Sequence, residues 1–276
     1  MSQLGASSWP AEWSDPSRER AEKPRQQGLT MVIDKGLGLH AFEDVLNVSA
    51  AYMDVYKLAF GTSVLYPNSL LQRKIALARM HRVQIMPGGT FFEVAYMSDS
   101  VESYIATIKS LGFTAIEISD GSLPVNKQRR WQAIGLAKAA GLVVYTEFGK
   151  KTAGFTADLS SLLQTLEEDL AAGADYVIVE ARESGNVGIF QANGEPDRAF
   201  LRDAHIAAGA NGSRLIWEAP RKEQQVALLE TLGLHVNLGN IATGDVLSVE
   251  TLRRGLRGDT APWMFEERGK ATCESR

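Results

Sequence analysis

Cysteine is almost missing from this chain. Cys273 is the single one in 276 residues, and it lies in the polar C-terminal stretch. An intrachain disulfide framework and a thiolate metal cage are thereby excluded. Histidine is scarce too, with His40, His81, His205 and His235 the full set. None has a partner at zinc-ligand spacing, so a bound cation would be a hard one held by oxygen. No apolar run approaches the roughly 18 residues of a membrane span. The opening MSQLGASSWPAEWSDPSRER lacks the apolar core of a signal peptide, and a cytoplasmic protein is expected. Charge of one sign is also lacking: the net value is −4, with no basic block and no aromatic–basic stripe. Nucleic acid is therefore not an expected partner. Small anions stay possible, because local potential in a cleft governs their binding.

What is present is ordinary globular composition, 45% apolar and 22% charged. Apolar, β-branched runs at 29–34, 52–60, 83–87, 115–120, 143–148, 176–181, 214–219 and 235–240 read as strands. Helical patterns such as SLLQRKIALARMHR and LSSLLQTLEEDLAAGA fill the gaps. Several end in glycine, at Gly112, Gly141, Gly173, Gly209 and Gly233, as helix C-termini prefer. Eight strands alternating with eight helices predict an α/β fold, a single (β/α)8 TIM barrel over 28–260. An N-terminal extension (1–27) would precede it, loose or packed on a partner, and a polar tail (261–276) would follow. An open doubly wound sheet is the alternative. DKGLGLH after the first strand supplies only Gly36 and Gly38, short of a dinucleotide fingerprint.

Three successive strands end in a carboxylate: Glu147 in VVYTEFGKK, Glu180 in YVIVEARES and Glu218 in LIWEAPRK. An unpaired buried carboxylate is costly, so three of them need a reason. Barrels keep their chemistry at the C-terminal strand ends. A divalent cation held there by Glu147, Glu180 and Glu218, with Asp120 a further candidate, is the simplest account. A ring of structural ion pairs closing the barrel mouth is the bland one. Strand alternation puts Glu147 and Lys151 on one face and Lys150 on the other. Lys35, Lys57 and Arg182 supply cations for an anionic substrate. PGGT after the third strand and LGNIATGD after the eighth offer backbone N–H groups, with Gly239, Asn240 and Arg221 candidate anion ligands. Arg253, Arg254 and Arg257 form either a solvated helix face or a contact to an anion or a neighbouring subunit.

At these strand ends the chain resembles the phosphosulfolactate synthase family, which also includes plant heat-stress-associated proteins. The strings IDKGLG, KLAFGTS, PGGTFFE, EISDGS, EFGKK, VIVEARESG, WEAPRKEQQ, VNLGNI and ETLRRGLRGDT carry it, in order, over 28–260. The resemblance implies a TIM barrel using Mg²⁺ and adding sulfite to phosphoenolpyruvate, giving (2R)-2-phospho-3-sulfolactate in one route to coenzyme M. It implies a catalytic second lysine of GKK, here Lys151, and a homo-oligomer. Lys35 is the other catalytic candidate. Lys57, Arg182, Arg221, Gly239 and Asn240 are the substrate-binding set. The chain departs from the family pattern at Ala181, Arg221 and Gly239. Two other functions stay open: the same enolate chemistry with another nucleophile or phosphorylated acid, and a non-catalytic stress-associated protein.

Overall fold

The computed structural model describes residues 9–151, 155–181, 184–185, 188–190 and 194–266. Eight parallel strands form the sheet: β1 (Thr30–Asp34), β2 (Val55–Leu58), β3 (Gln84–Pro87), β4 (Ala115–Ile118), β5 (Val143–Phe148), β6 (Tyr176–Val179), β7 (Leu215–Glu218) and β8 (Asn237–Ala242). Their order is β3-β2-β1-β8-β7-β6-β5-β4. At the seam between β3 and β4, Thr114 donates its N–H to Ile85 O at 3.2 Å and accepts the Ile85 N–H on its hydroxyl at 2.9 Å. A nearly closed (β/α)8 TIM barrel results. Among the described residues, no helix is long and apolar enough to cross a membrane.

Alternation along each strand sorts two cores. Val32, Tyr56, Ile116, Val144, Val177 and Trp217 face outward and pack under the helices. Met31, Val55, Met86, Ala115, Tyr145, Ile178 and Ile216 face inward and fill the lower barrel. Within that layer Tyr145 stacks on Tyr176 at 5.4 Å, and its hydroxyl donates to Gln84 Oε1 at 2.5 Å. A packed apolar floor leaves the next layer up, at the C-terminal ends, to carry the polar groups.

Between the strands the helices follow the expected gaps, with an addition after β3. PGGT, read as a glycine-rich turn, leads into a helix, Gly89–Met97, before the expected one at Val101–Leu111. The five C-terminal glycines all take positive φ. The arginine-rich helix is neither a solvated face nor an anion reader at Arg253, which is fully buried. Its guanidinium donates to Leu234 O at 2.5 Å and Leu29 O at 3.1 Å, under the N-terminal ends of the strands.

The stretch before β1 closes the same mouth. Arg20 pairs with Glu250 at 3.0 Å, Arg25 with Asp54 at 3.0 Å, and Lys23 donates to Met53 O at 2.7 Å. Tyr176, inside the barrel, donates to Gln26 O at 3.3 Å. The described part of the extension thus packs on its own barrel. Residues 261–266, placed in the polar tail by the sequence, are helical and bury Met264.

Candidate functional site

Four consecutive strands, β4 to β7, each turn one glutamate into the upper barrel: Glu117, Glu147, Glu180 and Glu218, all at most 2% exposed. Lys57 of β2 reaches between two of them, with Nζ 3.2 Å from Glu117 Oε1 and 3.2 Å from Glu218 Oε1. Lys151, just past β5, reaches the other two. Its Nζ is 2.9 Å from Glu147 Oε1 and 3.3 Å from Glu180 Oε2. The backbone fixes the remaining oxygens: Gly89 N–H donates to Glu117 at 2.8 Å and Ala181 N–H to Glu218 at 3.0 Å. Four carboxylates against two ammoniums leave a surplus of negative charge.

That surplus appears in the proton affinities. Burial, reinforced by Glu147 and Glu218, raises Glu180 well above the usual carboxylate range. Burial also works upward on Glu147, but Lys151 and Lys57 outweigh it and hold Glu147 low. A hydrogen bond between the two carboxyls pulls Glu147 down and pushes Glu180 up. Burial pushes Glu117 up to about 7 against the pull of Lys57. Both lysines stay charged: burial opposes this, but Glu117 and Glu218 around Lys57, and Glu147 and Glu180 around Lys151, raise them.

Above the ring lies a cavity of about 450 Å³, lined by the four glutamates, both lysines, Gly88, Gly89, Thr90, Gly121, Phe60 and Asn240. This is within the range of small-ligand sites. Asn240 faces in because β8 bulges: the pairing with β1 shifts register between Thr30 and Val32, and Asn240 takes φ 54°. Its Oδ1 is buried and has no hydrogen-bond partner among the described residues.

One oxygen each from Glu147, Glu180 and Glu218 lie within 4.8 Å of one another, so these three could hold a metal. Asp120 is not with them. Its carboxylate pairs with Lys150 at 2.6 Å and Arg130 at 3.4 Å, on the outer side of β5. Lys150 therefore points away from Lys151, as alternation requires. Lys35 is exposed and does not line the cavity. Arg221 also lies outside it, at the N-cap of Lys222–Leu232, with its guanidinium on Ser184 O. Arg182 lies outside the described residues. Gly239 lies in β8, where its carbonyl accepts the Ala219 N–H at 2.9 Å. The PGGT N–H groups do not simply await an anion: Gly88 donates to Leu58 O at 2.8 Å, and Gly89 to Glu117.

Three supporting residues stand outside the site set expected from the sequence, although Glu93 and Glu117 are visible there as polar groups at strand ends. Glu117 shares the inward parity of Ala115 and Ser119, and alternation in AIEIS could have placed it in the ring. Glu93 is buried and accepts from Ser119 Oγ at 2.5 Å and from the N–H groups of Ser122 and Leu123, fixing the loop that carries Gly121. Arg130 pairs with Asp169 at 2.6 Å and donates to Glu147 O at 2.9 Å, holding the end of β5 from outside. No spacing rule pairs residues so far apart.

The family profile described as (2R)-phospho-3-sulfolactate synthase (ComA) matches residues 18–259. The phosphosulfolactate synthase of Methanocaldococcus jannaschii is 42% identical over 238 residues, 85% of this chain and 94% of that protein. That of Methanothermobacter thermautotrophicus is 39% identical over 247 residues, 87% of this chain and 94% of the relative. Among solved structures, the YdjI aldolase of Escherichia coli superposes with a TM-score of 0.53 at 10% identity, covering 92% of this chain and 93% of that one. That last likeness speaks for the barrel alone. The match across nearly the whole barrel, at this identity, makes the chain a member of the (2R)-phospho-3-sulfolactate synthase family.

Proposed function

We propose that this chain catalyses the Mg²⁺-dependent addition of sulfite to phosphoenolpyruvate, forming (2R)-2-phospho-3-sulfolactate. The observation that carries the reading is the ring itself: four buried glutamates with two lysines at the catalytic mouth of a barrel of this family. The donor set suits Mg²⁺. Glu147, Glu180 and Glu218 offer hard oxygen ligands within 4.8 Å, and among the described residues the cavity lining holds neither histidine nor cysteine. When bound, the cation supplies Lewis-acid stabilisation of the charge that develops on the substrate carboxylate.

The chain's own groups do the rest. Sulfur attacks C3, the C2–C3 π bond breaks, and its electron pair moves to C2 and the carboxylate. Lys151 donates a proton to C2 from one face, which sets the configuration. Lys57 holds Glu117 and Glu218 in place and adds positive charge beneath the substrate. The phosphate lies toward Thr90, where the Gly89–Met97 helix presents its positive end without an acidic residue in its first turn. Asn240, aimed in by the bulge, orients the same group. We infer that the partner protein is a second copy of this chain.

Phosphorus NMR with phosphoenolpyruvate, sulfite and Mg²⁺ tests the reading. A new phosphate-ester signal that needs sulfite and vanishes on chelation is the expected result. Lys151→Ala should cut the rate by about 10²–10⁴-fold with its circular dichroism unchanged. An unaltered phosphoenolpyruvate signal from folded protein would overturn the sulfite assignment.

A further inference from the structure

Lys151 occupies the ligands that a divalent cation needs. Its Nζ lies 2.9 and 3.2 Å from the two oxygens of Glu147, and 3.3 Å from Oε2 of Glu180. Those are two of the three carboxylates whose oxygens converge within 4.8 Å. Mg²⁺ takes oxygen at about 2.0–2.1 Å in near-octahedral geometry, so it competes for the lone pairs the ammonium now uses. Two cations on the same pair of carboxylates, both only 2% exposed, repel with little help from water.

The two lysines of the ring differ in their freedom to leave. The Lys57 side chain is 6% exposed and enclosed between Glu117 and Glu218. That of Lys151 is 25% exposed and borders the open cavity. Its main chain is anchored, because Lys151 N–H donates to Gly121 O at 2.9 Å and neighbouring Lys150 donates to Asp120 O at 2.7 Å. The side chain can swing while the backbone stays.

We propose that Lys151 and the divalent cation exchange places. In the metal-free protein the Lys151 ammonium sits between Glu147 and Glu180. A cation arriving at Glu147, Glu180 and Glu218 expels that ammonium into the cavity, where the phosphorylated substrate lies. The proposal rests on the metal reading above and adds an order to it: the cation precedes the substrate, because only then does the proton donor stand where it is needed.

The test uses the full chain and Mg²⁺ alone, without substrate. A brief pulse of an amine-acetylating reagent, read by mass spectrometry, reports how open each lysine is. Lys150, held by Asp120 on the far side, is the internal reference. Saturating Mg²⁺ should raise acetylation of Lys151 roughly threefold or more as it loses its carboxylate partners, with Lys150 unchanged. Calorimetry should show Lys151→Met binding Mg²⁺ roughly tenfold more tightly than the parent, since no ammonium competes. If Mg²⁺ binds the parent while Lys151 acetylation stays flat or falls, the exchange is wrong and the metal site stands. This holds even where Lys151→Met binds more tightly, because charge repulsion alone would do that. If Mg²⁺ binds neither protein, the metal reading fails and takes the exchange with it.

Discussion

Gly121 shows how little room the ring leaves. A Cβ placed on it would lie 2.6 Å from Glu147 Oε1 and 3.4 Å from Lys151 Cγ. Its φ is not in the left-handed region, so the demand is for space and not for backbone freedom. Nor can the chain retreat, because Glu93 holds Ser122 and Leu123 by their N–H groups at 3.1 and 2.8 Å. The carboxylate of Glu147 must yield instead, and it is both a candidate metal ligand and a partner of Lys151. Gly121→Ala should therefore lower kcat about 10²-fold, the effect of an ångström-scale misplacement, with a melting temperature close to the parent's. Steady-state kinetics beside a thermal melt checks this. A variant with unchanged kcat would mean that Glu147 can shift without consequence. Among the other polar strand ends, Asp34 turns outward. It pairs with fully buried Lys74 and accepts the Gly36 and Leu37 N–H groups at 2.8 Å. It shapes the β1 loop and stays out of the cavity.

At the scale of elements, the N-terminal segment acts as a strap under the barrel. The Arg20–Glu250 pair has both side chains only 4% exposed, and Glu250 also accepts from Arg254 at 2.8 Å. Burial pushes the Glu250 carboxyl up, but Arg20 and Arg254 outweigh it and hold it below its ordinary value of about 4.5. A carboxylate depressed on folding stabilises the fold above its unfolded pKa, and that contribution disappears as pH falls through the folded one. Glu250→Gln should cost about 3–5 kcal/mol near neutrality, as for a broken buried pair. The gap to the parent should close below the ordinary glutamate value. Urea denaturation across pH measures it, and a gap that persists in acid would show that the charge is not what binds the strap. This strap was illegible in the sequence. Arg20, Arg25 and Lys23 sit in a stretch without periodicity, and their partners are up to 230 positions away. The eight strands were legible, because runs such as VVYTEF and YVIVEA carry their own pattern. So was the orientation of Lys151 against Lys150, which follows from alternation alone. Asp120 misled because a carboxylate at a strand end reads the same whether the next turn carries it inward or outward. Arg253 misled because a buried arginine among helix-facing charges has no local signature.

At the scale of the whole molecule, the barrel leaves one rim apolar. Phe60, Val64 and Leu65 after β2, with Val94 and Met97 from the helix after β3, are 58, 64, 79, 48 and 59% exposed. Val64 and Val94 line one groove of about 480 Å³, whose walls include Leu71, Phe91, Ile108 and Phe113. Large apolar side chains gathered in this way mark an interaction surface more often than open solvent. The self-association inferred above would seat a second copy of this chain here, and the patch reaches the candidate-site cavity through Phe60, which lines it. A permanent partner seated there would help wall the substrate from water, whereas a passing one would leave the site open for most of its life. Light scattering coupled to size exclusion should give an oligomer for the parent at micromolar concentration. Leu65→Glu with Val94→Glu should give a folded monomer, since each buried apolar side chain replaced by a charge removes about 1.5–3 kcal/mol of burial and adds an ion to desolvate. KM for phosphoenolpyruvate should rise in that monomer more than kcat falls, because Phe60 would lose its cover while the glutamate ring stays intact. A parent that is monomeric at these concentrations would remove the self-association reading and leave the rim to a different partner.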